Sequence, residues 1–264
     1  MFNHCHNLTN ISISNWIMNL YNGNMTTSTI DWFANCYNLN TININNLTIG
    51  YTTSLSSGLV SNCFQNCRNL KNINFINISF TNTYNIANSF NYCLNLKDID
   101  LGDVDYSNVR YSINNSFNYC TNLTNVNIKA GSYIVNYIGN TFYNCFNLKD
   151  ITWNTNVGIT FNNLKSAFNV FRNCYNLNYI DFNSITLQGG SNVYLNNMFY
   201  NCNNLSQNLL TSFFNLLIRC NTCIRTKNLY NTNYYSPFYG TNIGKARINA
   251  TGLNADLRTA GYTF

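Results

Sequence analysis

One apolar frame, Phe-x-x-Cys-x-x-Leu-x-x-Ile-x-Ile, recurs eight times along these 264 residues and leaves room for very few folds. It opens as Phe2, Cys5, Leu8, Ile11 and Ile13, and returns at once as Phe33, Cys36, Leu39, Ile42 and Ile44. Copies follow at Phe64, Phe90, Phe117, Phe142 and Phe171, and a degrading one at Phe199, Cys202 and Leu205. Successive cysteines of the frame stand 31, 31, 26, 27, 25, 29 and 28 residues apart. A period of this size is one supersecondary unit, too small to bury its apolar face alone, so the units must stack into a solenoid.

Within a unit, Phe, Cys and Leu follow one another at intervals of three, which places them on one side of a helical turn. Ile113, Ala167 and Met198 extend that side backwards. After the Leu the phase changes to strict alternation, as expected of a short strand with one face inward. Segments such as 46–59 then return the chain to the next unit. The expected fold is an α/β solenoid of about eight short helix–strand units over residues 1–205, with a C-terminal helix and cap region over 206–264. Leu209, Leu210, Phe213, Phe214, Leu216, Leu217 and Ile218 are dense enough for a helix buried on most sides, a natural lid for the open end of the stack.

The stretches FQNCRNLKNINF, FNYCLNLKDIDL, FNYCTNLTNVNI and FRNCYNLNYIDF resemble the BspA-type leucine-rich repeat, a family of bacterial surface proteins and phage tail proteins. The resemblance covers residues 1 to about 205. Asp103 to Val109 is similar to the aspartate-serine-asparagine-valine loop of the variant with longer repeats, and the ending NADLRTAGYTF is similar to a terminal cap in phage tail proteins. Two departures stand out: the proline that often follows the strand is missing, and repeat length varies by six residues. The resemblance implies the leucine-rich-repeat fold but no uniform curvature. Met1-Phe2 matches Met198-Phe199, so the first unit starts half-way; a longer polypeptide or other virion subunits are expected to cover that open repeat.

Composition narrows function further. There are 59 asparagines, no glutamate and one proline, and charged residues make up only 8% of the chain. Asparagine replaces charge as the solubilising residue, in part through AT-rich codon usage. The net charge of +6 comes from scattered bases, densest near the C-terminus at Arg219, Arg225, Lys227, Lys245, Arg247 and Arg258, so no nucleic-acid footprint is formed. No apolar run reaches the about 18–20 residues of a membrane span, and the N-terminus lacks the regions of a signal peptide.

Eleven cysteines suggest disulfides or metal, yet eight share one repeat phase, where neighbours lie too far apart to be bridged. They are expected to be free thiols packed as small hydrophobes. Cys63 with Cys67, and Cys220 with Cys223, lack the further ligands of a zinc site, and His4 and His6 merely flank Cys5. No nucleophile motif, phosphate loop or acid–base pair is present, so no catalytic residue, metal or cofactor is expected.

What remains is a repeated polar surface suited to binding by stacking and hydrogen bonding. The candidate contacts on the exposed strand face are Lys71, Asn72 and Asn74; Lys97, Asp98 and Asp100; Thr124, Asn125 and Asn127; Lys149 and Asp150; and Asn178, Tyr179 and Asp181. The expected role is a non-enzymatic recognition or adhesion module of a virion, a phage tail or fibre component binding a glycan or protein on a host surface. A structural virion protein without a receptor, or an adhesin on a bacterial cell surface, would share the same features.

Overall fold

The computed structural model describes residues 2–20, 31–51, 61–81, 86–102, 104–105, 112–153, 158–188, 193–229, 235–241 and 249–264. Most of the 46–59 return segment and the Asp103–Val109 loop lie outside them, as do Arg110, Lys245 and Arg247.

The Phe-x-x-Cys segment is not a helix. It is a pair of tight turns in which Cys N–H donates to the Phe carbonyl and Leu N–H to the Cys carbonyl, at 2.9–3.3 Å. The residue two after each Phe of the eight copies, and from Phe64 onward also the residue two before it, is left-handed, with φ between 52° and 64°, as at Asn62 and Asn66 or Asn169 and Asn173. Left-handed residues end a right-handed helix, and asparagine is among the few residues that tolerate the conformation. The Phe N–H groups therefore point along the stack: Phe33 donates to Cys63, Phe64 to Ser89 and Phe117 to Thr141, at 2.8–2.9 Å. The fold is thus mainly β, a solenoid with few helices, and the expected helix–strand unit becomes a turn–strand unit.

Strands β1 (Asn10–Leu20), β2 (Thr41–Tyr51) and β3 (Asn72–Thr81) are long and pair in parallel with like residues opposite, Ile11 on Ile42 on Ile73. Each turns a corner at a left-handed asparagine, Asn15, Asn46 and Asn77, whose amides hydrogen-bond from coil to coil at 2.8 and 2.9 Å. In later coils the strand divides at that corner. β4 (Asp98–Leu101), β6 (Asn125–Ile128), β8 (Asp150–Trp153) and β10 (Tyr179–Ile180) form one parallel sheet. β7 (Gly131–Tyr133), β9 (Ile159–Phe161) and β11 (Ile185–Leu187) form another, while β5 (Val104–Asp105) joins β3.

Identical side chains stack along the axis. Rings of Phe2, Phe33, Phe64, Phe90, Phe117, Phe142, Phe171 and Phe199 follow one another at 5.3–5.7 Å, nearly parallel. A ninth ring, Phe238, lies outside the eight copies of the repeat frame and continues the ladder at 5.4 Å from Phe199. The turn after it matches those of the other copies: Gly240 takes the left-handed position (φ 69°), and Thr241, in place of the cysteine, donates its N–H to the Phe238 carbonyl at 3.1 Å. Glycine is required there because a Cβ would lie 2.7 Å from the ring of Tyr200.

The cysteines do more than fill space. None of the eleven forms a disulfide, and those of the repeat frame from Cys36 to Cys202 donate Sγ–H to the Phe carbonyl of the preceding coil, at 2.8–3.2 Å. A thiol is a weak donor, but here it gives the buried Phe carbonyl, which already accepts the Cys N–H of its own coil, a second hydrogen bond. Burial pushes these thiols well above their ordinary pKa, which keeps the donor proton in place.

Helix α1 (Gln207–Arg219) is capped by Ser206, whose hydroxyl accepts from Leu209 N–H at 3.1 Å. It buries Leu209, Leu210, Phe213, Phe214, Leu216 and Leu217, and sets Phe213 edge-on to Phe199 at 5.0 Å. A short helix, α2 (Asn254–Thr259), and Tyr262, which donates to the Leu217 carbonyl at 3.0 Å, hold α1 from outside. No helix among the described residues is long and apolar enough to cross a membrane.

Candidate functional site

The alternation that buries Ile99, Val126, Ile151 and Ile180 turns the residues between them outward. Parallel register then assembles columns: Asp98, Asn125, Asp150 and Tyr179 lie side by side across β4, β6, β8 and β10, and Asp100, Asn127 and Thr152 form the next column. Lys71, Lys97, Thr124, Lys149 and Asn178 stand just ahead of the strands, at the turn that feeds them. All of these residues are exposed or half-exposed.

The columns are hydrogen-bonded internally. Asp98 Oδ1 accepts from Thr124 Oγ1 and from Asn125 Nδ2, both at 2.6 Å, and Asp100 Oδ1 accepts from Asn127 Nδ2 at 2.9 Å. Amide and hydroxyl donors of the next coil thus hold the carboxylates in fixed orientations. Asp181 differs. It follows β10, caps a 3-10 turn at Phe182–Ser184, accepts from Asn183 N–H at 3.1 Å and also from the Ser184 hydroxyl, so its carboxylate serves the turn.

The sheet is interrupted between β3 and β4, and the break makes a groove. Among the described residues no ladder joins the two, although the other strand starts are tied together: Asn72 N–H donates to Asn40, Asp150 to Thr124 and Tyr179 to Lys149, at 3.0–3.3 Å. Over the break lies an open depression of about 710 Å³ lined by Lys71, Asn72, Ile73, Asn95, Lys97, Asp98, Asn122, Thr124 and Asn147. Its size is within the range of small-molecule sites, but its walls are polar. Lys71, Asn72, Lys97, Asp98 and Thr124 of the expected contacts meet there; Asn74 lies on β3 outside the lining, and Asn178 and Tyr179 sit at the far end of the face.

Four lining residues escaped the reading of the sequence: Ile73, Asn95, Asn122 and Asn147. The three asparagines belong to a ladder in which Asn69 donates to Asn38, Asn95 to Asn69 and Asn122 to Asn95, at 3.2–3.5 Å, while Asn147 donates to the Thr121 carbonyl at 3.0 Å. The signal was present as an asparagine in every Cys-x-Asn-Leu of the frame.

The cysteines and histidines enter other arrangements. His6 stacks on Tyr37 at 4.8 Å, and Arg68 lies over the same ring at 5.3 Å. Cys223 donates to the Leu187 carbonyl at 3.7 Å. Among the described residues no group of three or more His, Cys, Asp or Glu side chains is placed to hold a metal ion.

No curated protein and no solved structure matches the chain significantly. The family model for the BspA type leucine rich repeat region does match, in six copies over residues 1–56, 33–177 and 84–229. With most of its length covered and the turn–strand ladder in place, the chain belongs to the BspA-type leucine-rich repeat family.

Proposed function

We propose that this chain is a non-enzymatic recognition module, and that the groove between β3 and β4 with the adjoining face of β4, β6 and β8 binds a glycan or protein on a host surface. The observation that carries this reading is the polar groove itself. Two lysines, one carboxylate and a row of amides converge over a break in an otherwise continuous sheet. Such groups offer donors and acceptors at fixed spacing, as sugar hydroxyls or the polar side chains of a protein require. Membership of the family supports a repeat-based interaction or surface module. The carrier we propose is an extracellular particle, a phage tail or fibre, in keeping with the asparagine-rich, glutamate-free composition and the Ala-Gly-Tyr-Thr character of the C-terminus.

The test is binding of the labelled protein to a glycan array and to intact bacterial cells of several genera. Replacing Lys97 with Ala together with Asp98→Asn is expected to weaken the strongest signal about tenfold or more, as loss of a charge-assisted contact would. Tyr194→Ser, on the separate row of bridges that links Ser166 to Tyr194, is expected to leave it unchanged. A signal indifferent to the double variant, or no binding to any surface, would count against the groove.

A further inference from the structure

We infer that the interior of the solenoid binds a single unbranched hydrocarbon chain, of the kind carried by a fatty acid, laid along the axis beside the phenylalanine ladder. A cavity of about 200 Å³ runs inside the coils. Folded cores are packed to the density of organic crystals, and voids larger than a water molecule are few. An apolar cavity of about 150 Å³ in a protein core is enough to take up benzene. The five rings from Phe64 to Phe171 line this one while Phe33 and Phe199 do not, so it extends over four ring steps of 5.3–5.7 Å. So small a volume over that length makes a bore one chain wide.

The sequence itself shapes the bore. In the row that immediately precedes the Phe residues, bulk falls from Trp32 to Ser89, Ser116 and Thr141 and rises again to Met198. All five line the cavity. Like positions follow one another along the stack, so small side chains in the middle coils and large ones at the two ends leave a space parallel to the axis. A second row, four residues before each Phe, does the same on a smaller scale: it reads Ile86, Ile113 and Ile138, drops to Ala167 and returns to Leu195.

The lining selects the chemistry of the occupant. Its small hydroxyls are spent on their own turns: Ser89 donates to the Ile86 carbonyl, Ser116 to Ile113 and Thr141 to Ile138, at 2.6–2.7 Å. None of the buried side-chain polar atoms that lack a partner among the described residues lines the cavity. A buried water needs about 2–4 polar partners, so the bore favours an apolar guest over water. The ladder rings stack face to face along the axis and therefore turn their edges to the bore, which suits methylene groups and offers no flat face to an aromatic ligand. Each further methylene buried adds affinity, so a long chain is preferred to a short one. The site shares no lining residue with the polar groove, and the two readings stand or fall separately.

Fluorescence titration of the whole 264-residue chain with cis-parinaric acid, an unbranched fatty acid that brightens in apolar surroundings, tests this. Saturable uptake of one molecule per chain is expected, with displacement by palmitic acid and not by cholesterol. Ser116→Met, which introduces the residue that the same row carries at position 198, is expected to weaken uptake about tenfold or more by filling the bore. Ala167→Leu, the residue of its own row at position 195, fills the bore from another side and is expected to do the same, with a melting temperature no lower than that of the parent. Thr141→Val, which removes a hydroxyl but little volume, is expected to leave uptake unchanged. No saturable uptake, uptake that survives both filling variants, or displacement by cholesterol would each overturn the inference.

Discussion

Asparagine is the residue on which this fold turns, and it does so in two ways. It occupies most of the left-handed positions that flank the Phe residues, and its Nδ2 then donates to Oδ1 of the equivalent asparagine in the preceding coil: Asn66 to Asn35 at 2.9 Å, Asn173 to Asn144 at 2.7 Å and Asn201 to Asn173 at 3.0 Å. The two contributions can be separated at Asn144 (φ 62°). Asn144→Gly and Asn144→Ala remove the same amide, but only alanine bears a Cβ in the left-handed region. The alanine variant is expected to be the less stable by about 1–2 kcal/mol in urea unfolding. Equal losses would show that the ladder bond, not the backbone, dominates. Codon usage and solubility explain an excess of asparagine but not its phase, and the phase is what the structure uses.

At the scale of elements, the unit is a turn and a strand, and the turn is held by neighbours more than by itself. Three intervals of three residues read equally well as one face of a helix, because a helix and a chain of i to i+3 turns bring the same residues together. The left-handed asparagines decide between them, and with one sequence they are visible only as a recurring letter. The same logic locates the degenerate ninth copy at Phe238, hidden because Pro237 precedes it and Thr241 replaces the cysteine. Gly240→Ala is a sharp probe of that element. The new methyl would meet the Tyr200 ring in a conformation already unfavourable for alanine. A loss of about 1–3 kcal/mol is expected by thermal unfolding, with Phe238 fluorescence-silent but its contact with Phe199 readable as a lost ring-current shift. An unchanged melting temperature would mean that the last ring is not part of the cooperative stack.

For the whole molecule, stacking of identical rows makes stability a property of the ladder. Its dependence on pH follows from the thiols. The ordinary value is 9.0; burial raises the ladder thiols well above it, and pushes Cys63 up to about 12. A thiol whose folded pKa is raised contributes stability that is fully present below the unfolded value and is lost as pH climbs through the folded one. Unfolding midpoints in urea are therefore expected to be insensitive to these groups up to about pH 8 and to fall steadily above about pH 9, each buried thiol adding about 1.4 kcal/mol per pH unit to the slope. A midpoint that stays flat to pH 10.5 would contradict the burial of the ladder. The period, the identity of the rows, the inward face of the strand that follows each Leu and the helix at 207–219 were legible in the letters alone, because spacing of apolar residues sets which side chains share a face. The candidate contact residues lie on an exposed surface. Three features emerge only once the coils are stacked: the Phe segment is a turn, the thiols donate to the coil before, and the sheet breaks between β3 and β4 to leave a groove. These depend on backbone handedness and on hydrogen bonds between residues about thirty apart, which no local pattern of letters encodes.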